Sequence, residues 1–203
     1  MKAAVYISIT GLGLSLSSPV LSAAPSKEAN ALAMRGTEAA RNRQWDEAID
    51  DLRKATEMEK KYAPSLIAAL LGRAATNGAQ QQLPQATADY DEVLKLDPRN
   101  TTALEGRASI AIKANDLDKA AALYSEAIKV NPREPRFYQY RSYIYELKGD
   151  LKPAMADTEM VLKLQKDQPD AVARKQRLQA RLAQGEQNQQ PPVTSPQGRP
   201  PGG

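Results

Sequence analysis

The feature that most constrains this 203-residue chain is a repeat. Four alanines, Ala48, Ala86, Ala120 and Ala154, are spaced by 38, 34 and 34 residues. Seven residues after each stands Ala55, Val93, Ala127 or Val161, and ten after each stands Met58, Leu96, Val130 or Leu164. Twelve before three of them stands a small residue, Gly36, Ala108 or Ser142. Two of the units close alike, on Lys-Leu-Asp-Pro at 95–98 and Lys-Val-Asn-Pro at 129–132. A fixed period of this length is the mark of stacked supersecondary units, each too small to bury its own apolar face alone.

Each unit reads as two antiparallel helices. Gly36, Ala108 and Ser142 on the first helix meet Ala48, Ala120 and Ala154 on the second, and a small residue on each side lets the axes approach closely. Leu32, Leu104 and Tyr138, one turn earlier, fill the space around the crossing. Asn115-Asp116 and Gly149-Asp150 supply turn residues between helices. Pro98 and Pro132 end the second helix, and Lys60 and Lys166 replace them in the outer units. Unit two carries four extra residues. Its crossing residue is Gly72, with two inserted residues in the loop and two before the helix, or Ala74, with all four before the helix and Asn77-Gly78 inside it; we adopt Gly72. Arg35, Arg107 and Arg141 each precede a crossing residue, and sixteen positions later stand Asp51, Leu123 and Asp157. Two ion pairs within units, Arg35–Asp51 and Arg141–Asp157, are expected.

This ordered set of small residue, alanine, second small residue and terminal proline resembles the tetratricopeptide repeat of exported bacterial-type proteins. The resemblance implies an all-α helical solenoid of four helix-turn-helix repeats over residues 29–168, in units of about 29–62, 65–100, 101–134 and 135–168. Residues 169–184 read as a capping helix, with Ala171, Leu178 and Leu182 on one face and Arg174, Lys175, Arg177 and Arg181 on the rest. A solenoid needs its last face covered by a partly polar element. Residues 185–203, rich in Gln, Pro and Gly, form a tail that cannot bury enough surface to fold.

The first residues read as an address. Met1-Lys2 is followed by an uncharged stretch, Ala3 to Ala24, whose apolar part to Leu16 has the length of a signal-peptide core. Small residues before Ser22 and Ala24 mark two cleavage points, and residues 1–24 are assigned as a signal peptide. The chain is expected to be periplasmic or secreted, with no stable membrane insertion after cleavage. The alternative is an anchor by an uncleaved N-terminal helix, although Gly11, Gly13, five serines and Pro19 make a poor span.

Composition excludes several chemistries. The chain has no cysteine and no histidine, which removes thiol nucleophiles, imidazole bases and the usual zinc ligands. No cofactor, catalytic residue or metal site is assigned. A net charge of +4 with both signs interspersed is not a nucleic-acid footprint. Helix-surface carboxylates show no spacing that singles out a pair, so an enzyme is not expected.

What remains is an adaptor or scaffold for a protein or peptide. The resemblance places its ligand on a concave groove lined by first helices. By helix position the candidates are Thr37 and Arg41; Arg73 and Asn77 if Gly72 is the crossing; Glu105, Ser109 and Lys113; and Arg136, Gln139, Tyr143 and Glu146, with Tyr140 beside Tyr143. Tyr138 and Tyr145 fall on the packed face. The family's chaperone-tail binders clamp a terminal carboxylate with Lys and Asn. At the matching places here stand Ala33, Thr37, Leu70, Thr102 and Gly106, so that role is not carried over. Two further readings are a membrane-tethered assembly factor and a surface-associating protein using the basic capping helix.

Overall fold

A computed structural model describes residues 26–189, with side chains described through residue 184. Residues 1–25 and 190–203 lie outside the described residues, and with them the assigned signal peptide and most of the assigned tail. The described chain is α-helical throughout apart from a short 3-10 turn: α1 (Lys27–Arg41), α2 (Trp45–Met58), α3 (Ala63–Ala79), α4 (Leu83–Leu96), α5 (Thr101–Lys113), α6 (Leu117–Val130), α7 (Pro135–Lys148), α8 (Leu151–Leu164) and α9 (Pro169–Gln189). Each helix packs on the one before it, so the fold is an all-α solenoid of four helix pairs capped by α9. The final helix runs to Gln189, five residues past the end expected for it.

The loop inside each pair is built the same way four times. Arg43, Gln81, Asn115 and Gly149 each stand five residues before the repeat alanine, and each adopts a positive φ of 58 to 81°. The next residue returns its N–H to a carbonyl five positions back: Gln44 to Ala39, Gln82 to Asn77, Asp116 to Ala111 and Asp150 to Tyr145, at 2.8–2.9 Å. This closes the first helix and turns the chain straight into the second. Only Gly149 takes the left-handed conformation without steric cost. Between pairs, Asn100 accepts from the Ala103 N–H at 3.1 Å and starts α5, and Glu134 caps α7, whose first residue is Pro135.

The crossing residues behave as expected. Ala48, Ala86, Ala120 and Ala154 are completely buried. A methyl group added at Gly36 would stand 2.8 Å from Leu52 Cγ and 3.0 Å from the Ala48 carbonyl oxygen. Ser142 is buried without cost, because its hydroxyl donates to the Ala154 carbonyl oxygen at 2.8 Å and contacts Thr158 Oγ1.

Unit two corrects the adopted register. Ala74, not Gly72, is the crossing residue: it is fully buried, and Leu70 and Arg73 take the places of Leu104 and Arg107 in the next pair. Gly72 instead makes room for Trp45, whose ring would lie 2.4 Å from an added methyl. The four extra residues sit before the crossing, in the 3-10 turn Lys60–Tyr62 and an extended start to the 17-residue α3. Asn77-Gly78 therefore lies inside the helix. A glycine there costs about 1 kcal/mol, less than unseating a fully buried leucine, which costs about 2–5 kcal/mol.

The core runs along the stack. Ile49, Leu52, Leu66, Leu70 and Val93 fill the first half, Leu104, Tyr124, Phe137 and Ile144 the second, and Tyr138, Val161 and Ala171 join α7, α8 and α9. Ala171 and Leu178 of α9 are buried, so the cap closes the last pair. Among the described residues no helix is long and apolar enough to cross a membrane.

Ala74→Leu is expected to destabilise the fold by roughly 1–3 kcal/mol through overpacking, whereas Ala75→Leu, one residue on and exposed, should be close to neutral. Chemical denaturation of the two variants checks the register.

Candidate partner-binding groove

Charged side chains first stiffen the helix pairs that carry the groove. Arg35 pairs with Asp51 through two hydrogen bonds, and Arg141 pairs with Asp157 through two of 2.8 Å. Both pairs match the sixteen-residue spacing. The register of unit two adds a third, Arg73–Asp89, at 2.6 Å. Arg107 has Leu123 at that spacing and turns back to Asp91 of the preceding pair. The Arg35 guanidinium holds the Asp51 carboxyl below its ordinary range, chiefly by hydrogen bonding and against the cost of burial.

Arg73 was a groove candidate only in the Gly72 register. It is tied to Asp89 and to Asp46, 2.6 Å away, and Asn77 lies 3.4 Å from Asp89. Both stand on the edge where second helices begin, away from the groove. Ala75 and Ala79 occupy the positions one and five after Ala74 and take their places. The clamp position read at Leu70 moves to Gly72, and the clamp is still missing.

The other candidates separate into open and occupied side chains. Arg41 is exposed and leans on Glu38 at 3.2 Å. It borders a recess of about 320 Å³ with Thr37, Ser65 and Ala68. Ser109 and Lys113 are exposed and border a second recess, of about 290 Å³, with Ala75 and Ala79. Tyr143 is 42% exposed. Tyr140 is similarly exposed but stacks on Tyr124 of α6, ring centroids 5.4 Å apart, which places it on the seam between the third and fourth pairs. Gln139 is half-buried, and its backbone carbonyl accepts from Arg174 at 3.1 Å.

Two carboxylates counted as groove lining are already neutralised. Glu105 meets Arg136 at 2.9 Å; burial raises its pKa and the arginine opposes the rise. Glu146, its side chain only 12% exposed, accepts from Arg177 at 2.9 and 3.1 Å and from Arg181 at 3.3 Å. Arg177 is the main cause of its lowered pKa, with burial opposing. A third guanidinium, Arg174, lies over the Tyr143 ring at 5.6 Å. Glu146 is thus a strut between α7 and α9 and is not open to a partner.

The same contacts add candidate residues to the first-helix face that helix-by-helix counting missed. Pro169 follows Pro135 by one period of 34, so α9 stands where the first helix of a fifth repeat would stand. Arg177 then corresponds to Tyr143, and Arg181 to Leu147. Extending the period past unit four finds them. The face so assembled runs from Thr37 and Arg41 through Ala75, Ala79, Ser109 and Lys113 to Tyr143, Leu147, Arg177 and Arg181. Its carboxylates are compensated and Lys113, Arg177 and Arg181 stay exposed, so its open charge is positive. Of the other α9 cations, Arg174 is largely covered by α7 and Lys175 pairs with Glu159 at 2.9 Å. That removes much of the charge a surface-associating reading would use.

Glu146→Gln is expected to lower the melting temperature at neutral pH by loosening α9. A carboxylate with a lowered folded pKa contributes above its ordinary range and loses that contribution as pH falls through the lowered value. The gap between variant and wild type should therefore shrink below pH ~4. Thermal melts from pH 7 to 2.5 measure it.

Comparison with known proteins places the chain. The tetratricopeptide repeat family model matches residues 78–135 and 107–169. No curated protein sequence matches the chain. A tetratricopeptide repeat protein from Parabacteroides merdae superposes with a TM-score of 0.60 at 20% identity, over 79% of this chain and 63% of that one. MamA from Desulfovibrio magneticus superposes with a TM-score of 0.57 at 16% identity, over 81% and 90%. The first tetratricopeptide domain of Spaghetti (RPAP3), bound to the HSP90 peptide SRMEEVD, superposes with a TM-score of 0.54 at 21% identity, over 58% and 93%. These identities speak to the fold alone; residues 78–169 match the tetratricopeptide repeat model, and the helix pairs carry the same repeat fold through the described residues from α1 to α8.

Proposed function

We propose that the chain is an exported, non-catalytic adaptor that holds a protein or peptide segment on the face formed by α1, α3, α5, α7 and α9. The observation that carries this reading is the C-terminal half of that face. Tyr143 and Leu147, both exposed, lie between Lys113 on one side and Arg177 and Arg181 on the other. The neighbouring carboxylates Glu105 and Glu146 are each held by arginine. An aromatic gives contact area at low entropic cost, and an arginine holds a carboxylate by two hydrogen bonds. The fitting ligand is an extended or helical segment with acidic groups flanking an apolar residue. One structural relative is seen with a peptide bound, which supports the class of ligand and not its identity.

Export rests on residues 1–24. Cleavage after Ser22 or Ala24 is expected, so the protein purified from its native compartment should begin at Ala23 or Pro25. N-terminal sequencing checks this, and a retained Met1 would favour the anchored alternative.

Binding is tested by substitution on the groove. Tyr143→Ala should weaken partner binding by about 1–2 kcal/mol, as a moderate hot spot does, with helicity unchanged because the ring is not in the core. A crosslinking pull-down compares it with wild type and with Lys129→Ala on a second helix. Equal partner recovery from all three would remove the groove assignment.

A further inference from the structure

One cavity lies outside the groove face. It has a volume of about 700 Å³ and lies between the first two helix pairs, on the edge where α2 and α4 begin and α3 ends. That is within the usual range for small-ligand sites. The charged tie between neighbouring pairs is placed differently at this seam. Between the third and fourth pairs, Lys148 reaches Asp118 at 2.6 Å and ties the two units together. Lys148 is six residues after its crossing residue, and Asp118 is two before its repeat alanine. The counterparts here are Gln80 and Asp46. Gln80 brings no charge, and Asp46 pairs instead with Arg73 of α3 at 2.6 Å, so the tie between these two pairs runs through Arg73 and leaves Gln80 unpaired at the edge.

The lining then has an unusual chemistry. Five side-chain amides border the cavity: Asn77 donates to Asp89, and within the described residues Gln44, Gln80, Gln82 and Gln85 make no side-chain hydrogen bond. Each offers two donors and one acceptor oxygen. The lining carries three carboxylates against two guanidinium groups: Arg73 is held by both Asp89 and Asp46, and Arg43 and Glu47 remain, one of each sign. The one net negative charge stands against an anionic ligand. Trp45 also lines the cavity, fixed by its indole N–H donating to Thr76 Oγ1 at 3.1 Å and by its close seat on Gly72.

We propose that this cavity binds a neutral saccharide of two or three sugar rings. A sugar hydroxyl is at once donor and acceptor and pairs with the free amides in either sense, while the C–H faces of a pyranose meet the Trp45 ring and the glutamine stems. A nucleotide phosphate would need uncompensated positive charge. A peptide strand would need a sheet edge or a row of apolar pockets. Neither is present at the cavity. The inference stands apart from the groove and does not depend on it.

Trp45 is the chain's one tryptophan and borders both this cavity and the recess at Thr37 and Arg41, so its fluorescence reports binding and substitution of Gln80 and Gln85 assigns the response to this cavity. The mature protein is titrated with maltotriose, cellotriose and tri-N-acetylchitotriose. At least one should give a saturable change. Gln80→Ala/Gln85→Ala should weaken that response roughly tenfold with circular dichroism unchanged, since both side chains are exposed. Lys129→Ala should leave it as in wild type. No saturable change with any of the three sugars overturns the proposal. So does a response that the double variant retains in full. Loss of the response with the groove intact in partner pull-down separates this site from the other.

Discussion

The structure depends on how closely two helices can approach at one point in each pair. Where Gly36, Ala74, Ala108 or Ser142 faces its repeat alanine, no side chain larger than a hydroxymethyl separates the backbones. Interiors are packed to crystal density, so the position admits neither a void nor an extra methylene without movement. Once that contact is seated, the residue one turn earlier, Leu70 or Leu104, has its own fully buried place. The residue before the crossing residue, an arginine in all four pairs, emerges at the side where an aspartate can meet it. The left-handed turn five residues before each alanine follows from the same seating, since it sets where the second helix begins. Arginine and glutamine hold that turn in the first two pairs at a steric cost that glycine avoids in the fourth.

Electrostatics then distributes the remaining freedom. The arginine pairs sit at the flank of each unit and leave the first-helix face to other residues. At the C-terminal end three guanidinium groups gather around Glu146 and Tyr143, and α9 becomes a continuation of the solenoid as much as a lid on it. The Glu146 carboxylate is the joint on which Arg177 and Arg181 are held with their side chains still exposed. Cap and groove are thus parts of one arrangement, which is why the cap's charges are better understood from α7 than from α9 alone.

Much of this could be read in the chain before any coordinates, and the reason is periodicity. Positions that recur in register report packing, and packing is what the repeat conserves within one sequence. The alanines, the small crossing residues and the sixteen-residue arginine–aspartate spacing were legible on that ground. Unit two was not, because Asn77-Gly78 is a strong local turn signal, and only the burial of Leu70 and Ala74 overrides it. The error carried Arg73 into the groove and hid its partner Asp89. Arg107 was opaque for a different reason: its partner Asp91 lies in the preceding pair, where no within-unit spacing points. Glu146 looked like groove lining by helix position, and its partners 31 and 35 residues away appear only once α9 is counted as a further first helix. The leader and the tail were read from composition alone.

The central claim is that the first-helix face, near Tyr143, is where a partner is held. The most direct measurement is site-specific photo-crosslinking in the native compartment, with a photoreactive residue placed at 143, at 113 or at 129. The account predicts one common crosslinked protein from positions 113 and 143 and none from 129. A crosslink from 129 alone, or from all three positions equally, would contradict it.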